Sequence, residues 1–148
     1  MNLKKVLSKD SILPDLKAET KNAVIEELVD FLAQNGSIGD PAAALQAVMN
    51  REAKMSTGMQ NGIAIPHGKT DTVNQLLVAI ATKKGGVDFD AMDGQPCNIF
   101  ILTLSPEHRA GPHIQFLAEI SKLLGNVHLR EKLVAAGSAD EILNLLTA

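Results

Sequence analysis

The 148-residue chain has one cysteine, Cys97, and no tryptophan or tyrosine. A lone thiol excludes an internal disulfide and any zinc site built on two or more cysteines. Four phenylalanines are its aromatic complement, which leaves little for stacking on nucleic-acid bases. Charge of one sign is scarce as well: 14 Lys and Arg against 17 Asp and Glu give a net −3. A nucleic-acid partner calls for a clearly basic face, so none is expected. Long apolar runs are missing. Leu76–Ala81 and Ile99–Leu102 fall far short of the roughly 20 residues that span a bilayer. The start, Met1-Asn2-Leu3-Lys4-Lys5, lacks the apolar core of a signal peptide. The expectation is a cytoplasmic chain without direct membrane insertion.

What is present suits a globular domain. The chain is 45% hydrophobic and 21% charged, enough to bury a core at this length. Val24, Leu28, Phe31 and Leu32 recur at helical spacing from about Thr20, and Asn35-Gly36 ends that helix. Asp40-Pro41 reads as an N-cap followed by proline at the first helical position, opening a second helix to about Lys54. Ser56–Gly62 reads as a loop, and Ile63–Ile65 as a short strand that stops at Pro66-His67-Gly68. Leu76–Thr82 and Asn98–Leu104 are apolar runs suited to strands covered on both faces. The turn-rich stretch between them carries Asp88, Asp90 and Asp93. Three helices follow. One carries His113 in its first turn and ends at Gly125, one covers about His128–Ala136, and the last opens on the capping-box signature Ser138–Glu141. The order predicts an α/β fold: a single domain, residues 1–148, with a mixed β-sheet flanked by helices on both faces.

Four histidines are the candidates for chemistry. His67 lies between a glycine-rich loop and Gly68, at the expected strand end, where α/β folds place their sites. A neutral imidazole can act as a nucleophile; a hydrogen-bonded structural histidine at a tight bend explains the same residue. His113 stands at a helix N-terminus, which attracts phosphate, or is an exposed first-turn histidine with no role. Arg51 offers a guanidinium fork for phosphate oxygens, or complements the C-terminus of its own helix. His108 and His128 sit among charged neighbours and read as solvated.

Other chemistries fail on spacing. His67 has no His-x-x-x-His or His-x-Glu partner, so no metal is expected. A Gly-x-Ser-x-Gly elbow is absent. Gly62 and Gly68-Lys69-Thr70 miss the nucleotide phosphate loop, with one residue too many and Pro66 between the glycines. The three aspartates lack the closing glutamate of a calcium loop, Ile99 standing in its place. Cys97, before an apolar strand, reads as a small buried residue.

Arg51-Glu52, Ser56-Thr57-Gly58 and Gly62-Ile63-Ala64-Ile65-Pro66-His67-Gly68-Lys69, continued through Val87–Pro96, Ser105-Pro106-Glu107 and His113, resemble one family. It is the fructose/mannitol-type enzyme IIA domain of the sugar phosphotransferase system, including its nitrogen-regulatory branch. The resemblance implies a phosphotransferase working through a phosphohistidine, with no cofactor. His67 would accept a phosphoryl group from the HPr phosphocarrier or its nitrogen-branch counterpart and pass it to an enzyme IIB domain. His113 matches the family's second histidine, and Arg51 its arginine near the active centre. Ser56 and Thr57 are expected to orient the ring or the phosphate through their hydroxyls. Met59 and Ile65 are expected near an apolar, shallow docking surface. In the alternative, the phosphorylation state of His67 controls binding to regulatory target proteins. One departure stands out: where the family often reads Thr-Gly-Ile-Gly, Thr57-Gly58-Met59-Gln60 lacks the second glycine. The chain ends at Ala148 without a following transport domain, and the expectation is a carrier that stands alone.

Overall fold

The helix starts are set by local side chains. In the computed structural model, which describes residues 1–36 and 38–148, Thr20 accepts from the Ala23 N–H and Asp40 from the Ala43 N–H. Each satisfies one of the first-turn donors that a helix leaves unpaired. They open α2 (Lys21–Gln34) and α3 (Pro41–Lys54). Gly36, at φ 74°, follows the end of α2 in the left-handed region. At the other end of the chain come α4 (Gly111–Leu124), α5 (Val127–Ala135) and α6 (Ala139–Thr147). Ser138 caps α6 by accepting from the Glu141 N–H. The Glu141 carboxylate turns back one residue beyond a regular capping box and accepts from the Gly137 N–H.

Two short N-terminal pieces precede these: α1 (Leu3–Val6) and, after a 3-10 turn, β1 (Ile12–Leu13). Neither is long enough to show a period in the sequence. The sheet then takes in β2 (Ile63–Ala64), β3 (His67–Lys69), β4 (Leu77–Val87) and β5 (Cys97–Ser105). β1 runs parallel to β4, β4 antiparallel to β5, and both β2 and β3 lie parallel along the far edge of β5.

Two expectations need correction here. The strand does not end at Pro66. Ile63 faces Ile99 and His67 faces Thr103 in an unchanged register. The chain therefore stays in step with β5, and the Pro66 carbonyl accepts from the Thr103 N–H (3.1 Å). Proline interrupts the pairing only because it has no N–H to give. The other is the end of β4. It runs past Thr82 to Val87, with its register shifted at Lys83–Gly86, where Gly85 and Gly86 take φ of 85° and 71°.

Side chains alternate across β4 and β5 and fill two cores. Ala79, Ala81, Phe100, Leu102 and Leu104 pack with Val24, Leu28 and Val48 of α2 and α3. Val78, Ile80, Ile99 and Ile101 pack with Phe116, Ile120, Leu133 and Ile142 of α4, α5 and α6. Helices thus cover both faces of a mixed sheet. Cys97 is fully buried, and burial, with Asp93 and Asp88 adding to it, pushes its thiol up to about 11. Among the described residues no helix is long and apolar enough to cross a membrane.

β3 meets α3 through Gly68. A Cβ there would lie 2.9 Å from the Val48 nitrogen and 3.0 Å from the Ala47 carbonyl carbon, so helix and strand touch main chain to main chain. Gly68→Ala should therefore force α3 away and cost about 1–3 kcal/mol, as overpacking does. A lowered urea midpoint is the measurement that checks it.

Candidate functional site

His67 is the first residue of β3 and is half-buried. Its Nδ1 lies 2.9 Å from the Ile65 carbonyl oxygen. A carbonyl can only accept, so in the neutral ring Nδ1 carries the hydrogen and Nε2 keeps its lone pair.

The Ile65 carbonyl is free for this bond for a specific reason. Residues 57–65 form a tight hairpin: Met59 donates to the Ile63 carbonyl and Ile65 to the Thr57 carbonyl. Its tip is Asn61-Gly62, at φ of 64° and 76°, a pair of left-handed residues that suits a two-strand reversal. In a regular antiparallel pair Thr57 would return a bond to Ile65. Instead its N–H goes to Glu52 Oε2 (2.7 Å), and its hydroxyl donates to Glu52 Oε1. Glu52 is 7% exposed and pairs with Lys21 Nζ at 2.9 Å. Burial alone would raise its pKa, but hydrogen bonds from Thr57 and Lys21 outweigh it and hold the carboxyl below its usual range. Lys21 in turn sits 5.1 Å over the Phe89 ring.

The sequence reading gave Glu52 no role. The available signal was a carboxylate one residue after Arg51 and five before Thr57, at the end of a helix facing a loop of polar residues. Asn61-Gly62, within the stretch whose composition reads as a loop, is the marker of the hairpin. Gln60 is not one of its left-handed positions, so the missing glycine leaves the turn intact. Gly58 is required: a Cβ there would lie 2.8 Å from the Phe89 carbonyl oxygen.

His113 stands in the first turn of α4, its ring centroid 5.3 Å from that of His67. Its Nδ1 lies 3.0 Å from Thr103 Oγ1. Burial first, then the neighbouring His67 and Lys69, push its pKa down to about 4, so the ring is neutral at pH 7. The N-cap of α4, Ala110, has no side chain that bonds the first turn, which leaves the positive end of the helix dipole open beside the two rings.

Arg51, Lys54, Lys69, Asn50 and Glu107 line a cleft of about 720 Å³ with His67. Three cations against one carboxylate make it an electropositive setting. Arg51 spends one donor on the Met55 carbonyl (2.7 Å) and has others to offer. Ser56 and Thr57 are not among the cleft residues. The Ser56 hydroxyl donates to the Phe89 carbonyl (2.8 Å) and accepts from the Gly58 N–H, and the Thr57 hydroxyl is held by Glu52. Both serve the loop, and neither hydroxyl is directed to His67. His108, 75% exposed near Asp71, and His128 lie at the surface. Among the described residues no group of three or more His, Cys, Asp or Glu could hold a metal ion. Asp88 and Asp93 cap local turns instead.

Comparison with known proteins places this geometry. The family model "Phosphoenolpyruvate-dependent sugar phosphotransferase system, EIIA 2" matches residues 5–148. The chain is 39% identical over 127 residues to the PTS system fructose-specific EIIA component of Haloferax volcanii, covering 86% of this chain and 82% of that protein. It is 34% identical over 146 residues to the fructose-specific EIIABC component of Bacillus subtilis, covering 99% of this chain but only 23% of that longer protein. Among solved structures, the nitrogen regulatory protein IIA-Ntr of Neisseria meningitidis superposes with a TM-score of 0.89 at 30% identity, covering 98% of this chain and 99% of that one. Enzyme IIAMTL of Escherichia coli, in complex with phosphorylated enzyme IIBMTL, superposes at 0.82 with 26% identity over 95% and 96% of the two chains.

The half-buried, neutral His113 also sets a pH dependence. Its pKa is 6.5 when free and about 4 in the fold, so between those values the unfolded chain binds more protons than the folded one. Stability should therefore be full above about pH 6.5 and fall as pH is lowered towards 4. Thermal unfolding measured across that range should show a shallower decline in His113→Gln than in the wild type.

Proposed function

The chain belongs to the EIIA 2 family of the phosphoenolpyruvate-dependent sugar phosphotransferase system, which transfers phosphoryl groups, and we propose that His67 is the residue that carries the group. In this reading residues 1–148 act as one EIIA-type domain. His67 takes the phosphoryl group from an HPr-like phosphocarrier protein and hands it to an enzyme IIB domain. The observation that carries the reading is the Nδ1–Ile65 bond, which leaves Nε2 as the only nucleophilic ring nitrogen.

The lone pair of Nε2 attacks phosphorus while the donor's bond to phosphorus breaks and its electron pair returns to the donor. Positive charge develops on the ring and is met through Nδ1–H by the Ile65 carbonyl. Charge on the three equatorial oxygens is met by Arg51, by His113 and by the first turn of α4. Because His113 is neutral, what it contributes is a hydrogen bond and not a full charge. Transfer between protein side chains needs no nucleotide or metal. Ile114, beside His113, is 64% exposed, and Met59 is 36% exposed. Such apolar groups suit the centre of a protein interface, and the IIAMTL–IIBMTL complex supports a IIB partner.

A second reading has its own support in the likeness to IIA-Ntr: the phosphorylation state of His67 governs which regulatory target protein is bound. Pull-downs with the phosphorylated and unphosphorylated chain separate the two, since a carrier yields a IIB domain and a regulator yields state-dependent targets.

Incubation with phosphoenolpyruvate, enzyme I and HPr should place an acid-labile phosphate on the wild type and none on His67→Ala. Label on that variant would overturn the assignment. His113→Ala should still be labelled, with transfer slowed on the order of a hundredfold, the usual cost of losing one transition-state donor. Rapid-quench transfer kinetics measure it.

A further inference from the structure

Thr103 lies on β5 directly across from His67 in the parallel register and is 2% exposed. Its hydroxyl has a single polar partner among the described residues, Nδ1 of His113 at 3.0 Å. A hydroxyl has one hydrogen to give, and a neutral imidazole has one donor and one acceptor nitrogen. Two arrangements satisfy the distance. In one, His113 Nδ1–H donates to Thr103 Oγ1. The hydroxyl hydrogen is then left without an acceptor in a place that solvent does not reach, and His113 turns a bare lone pair towards the site. In the other, the hydroxyl donates to Nδ1, the buried hydroxyl hydrogen is paired, and Nε2 of the half-buried ring carries its hydrogen towards the site. An unpaired buried donor is the costly outcome, so the second arrangement holds.

We propose that Thr103 is a positioning residue for phosphoryl transfer: its hydroxyl locks His113 in the Nε2–H tautomer, so that the second histidine presents a hydrogen-bond donor to the phosphoryl group and not a lone pair. The proposal rests on the reading of His67 as the phosphorylated residue. The low pKa of His113 gives the tautomer its weight, because a doubly protonated ring would donate from both nitrogens whatever its neighbour did. The two rings are thereby fixed by different groups, an acceptor just before β3 and a donor on β5. Ile65 takes the hydrogen of His67 Nδ1 and leaves its Nε2 bare; Thr103 gives a hydrogen to His113 Nδ1 and leaves its Nε2 protonated. One ring is set to attack and the other to donate.

The test uses the whole chain with ¹⁵N-labelled histidine. Two-bond ¹H–¹⁵N correlation of the rings at pH 7.5, with His113 assigned by loss of its signals in His113→Gln, should show the Nε2–H form in the wild type. A wild-type ring in the Nδ1–H form overturns the proposal without any Thr103 variant having to fold. Thr103→Val, of nearly the same shape and without the hydroxyl, should shift His113 away from the pure Nε2–H pattern and slow transfer to a IIB domain on the order of tenfold. Thr103→Ser should restore both to within about twofold of the wild type. A Thr103→Val chain with the wild-type ring pattern or the wild-type transfer rate overturns it equally. Labelling of His67→Ala reports on the underlying reading separately, since the ring pattern of His113 is measured without any phosphoryl donor.

Discussion

One diverted ladder bond underlies the rest of the site. The Thr57 N–H turns to the buried Glu52 carboxylate and not to Ile65, and the carbonyl it leaves behind holds the His67 ring. A carboxylate buried to this degree is stable only when paired and hydrogen-bonded. Lys21 and Thr57 supply both, and Lys21 itself is steadied over Phe89. The start of α2, the end of α3, the hairpin and the segment after β4 therefore converge on one salt bridge. What they produce at the far end is the orientation and tautomer of a single imidazole.

The second requirement is the double burial of β5. Its alternate side chains feed two cores, so the strand cannot slip by one residue without inverting every one of them. That rigidity keeps Thr103 opposite His67. β5 leads directly into the loop before α4, which brings the open end of that helix and His113 against the His67 ring. Main-chain contact at Gly68 does the same for α3, fixing the turn from which Arg51 extends. The site is thus assembled from three elements whose relative positions are set by packing, and the hairpin between α3 and β3 sets the orientation of the His67 ring.

Much of this was legible in the residues. Thr20, Asp40 and Ser138 announce helix starts because a side-chain cap is a local event. The apolar runs of β4 and β5 announce doubly covered strands because burial on both faces removes polar alternation. His67, His113 and Arg51 are legible as a set through the family resemblance. β1 was invisible because two residues show no period, and β3 because proline and glycine normally signal an end. Here an unchanged register carries the chain past them. Ser56 and Thr57 show the limit on side chains. A hydroxyl in a glycine-rich loop reads as a phosphate ligand, but which way it turns depends on a glutamate and a carbonyl brought in by folding. Thr103 reads as one more strand residue for the same reason.

The groups around His67 are of two kinds: a neutral His113 and the first turn of α4 are uncharged donors, while Lys54, Lys69 and an Arg51 already tethered to the Met55 carbonyl supply the positive charge of the cleft. With part of the donor set uncharged, the nest proposed for the phosphoryl group stops short of full ionic pairing. Full ionic pairing would turn the chain into a sink, holding the group in a well too deep for the next protein to empty. In the proposed carrier role, moderate, directional attraction would keep loading and unloading close in free energy, so that supply and demand at either end of the relay would set the direction of flow.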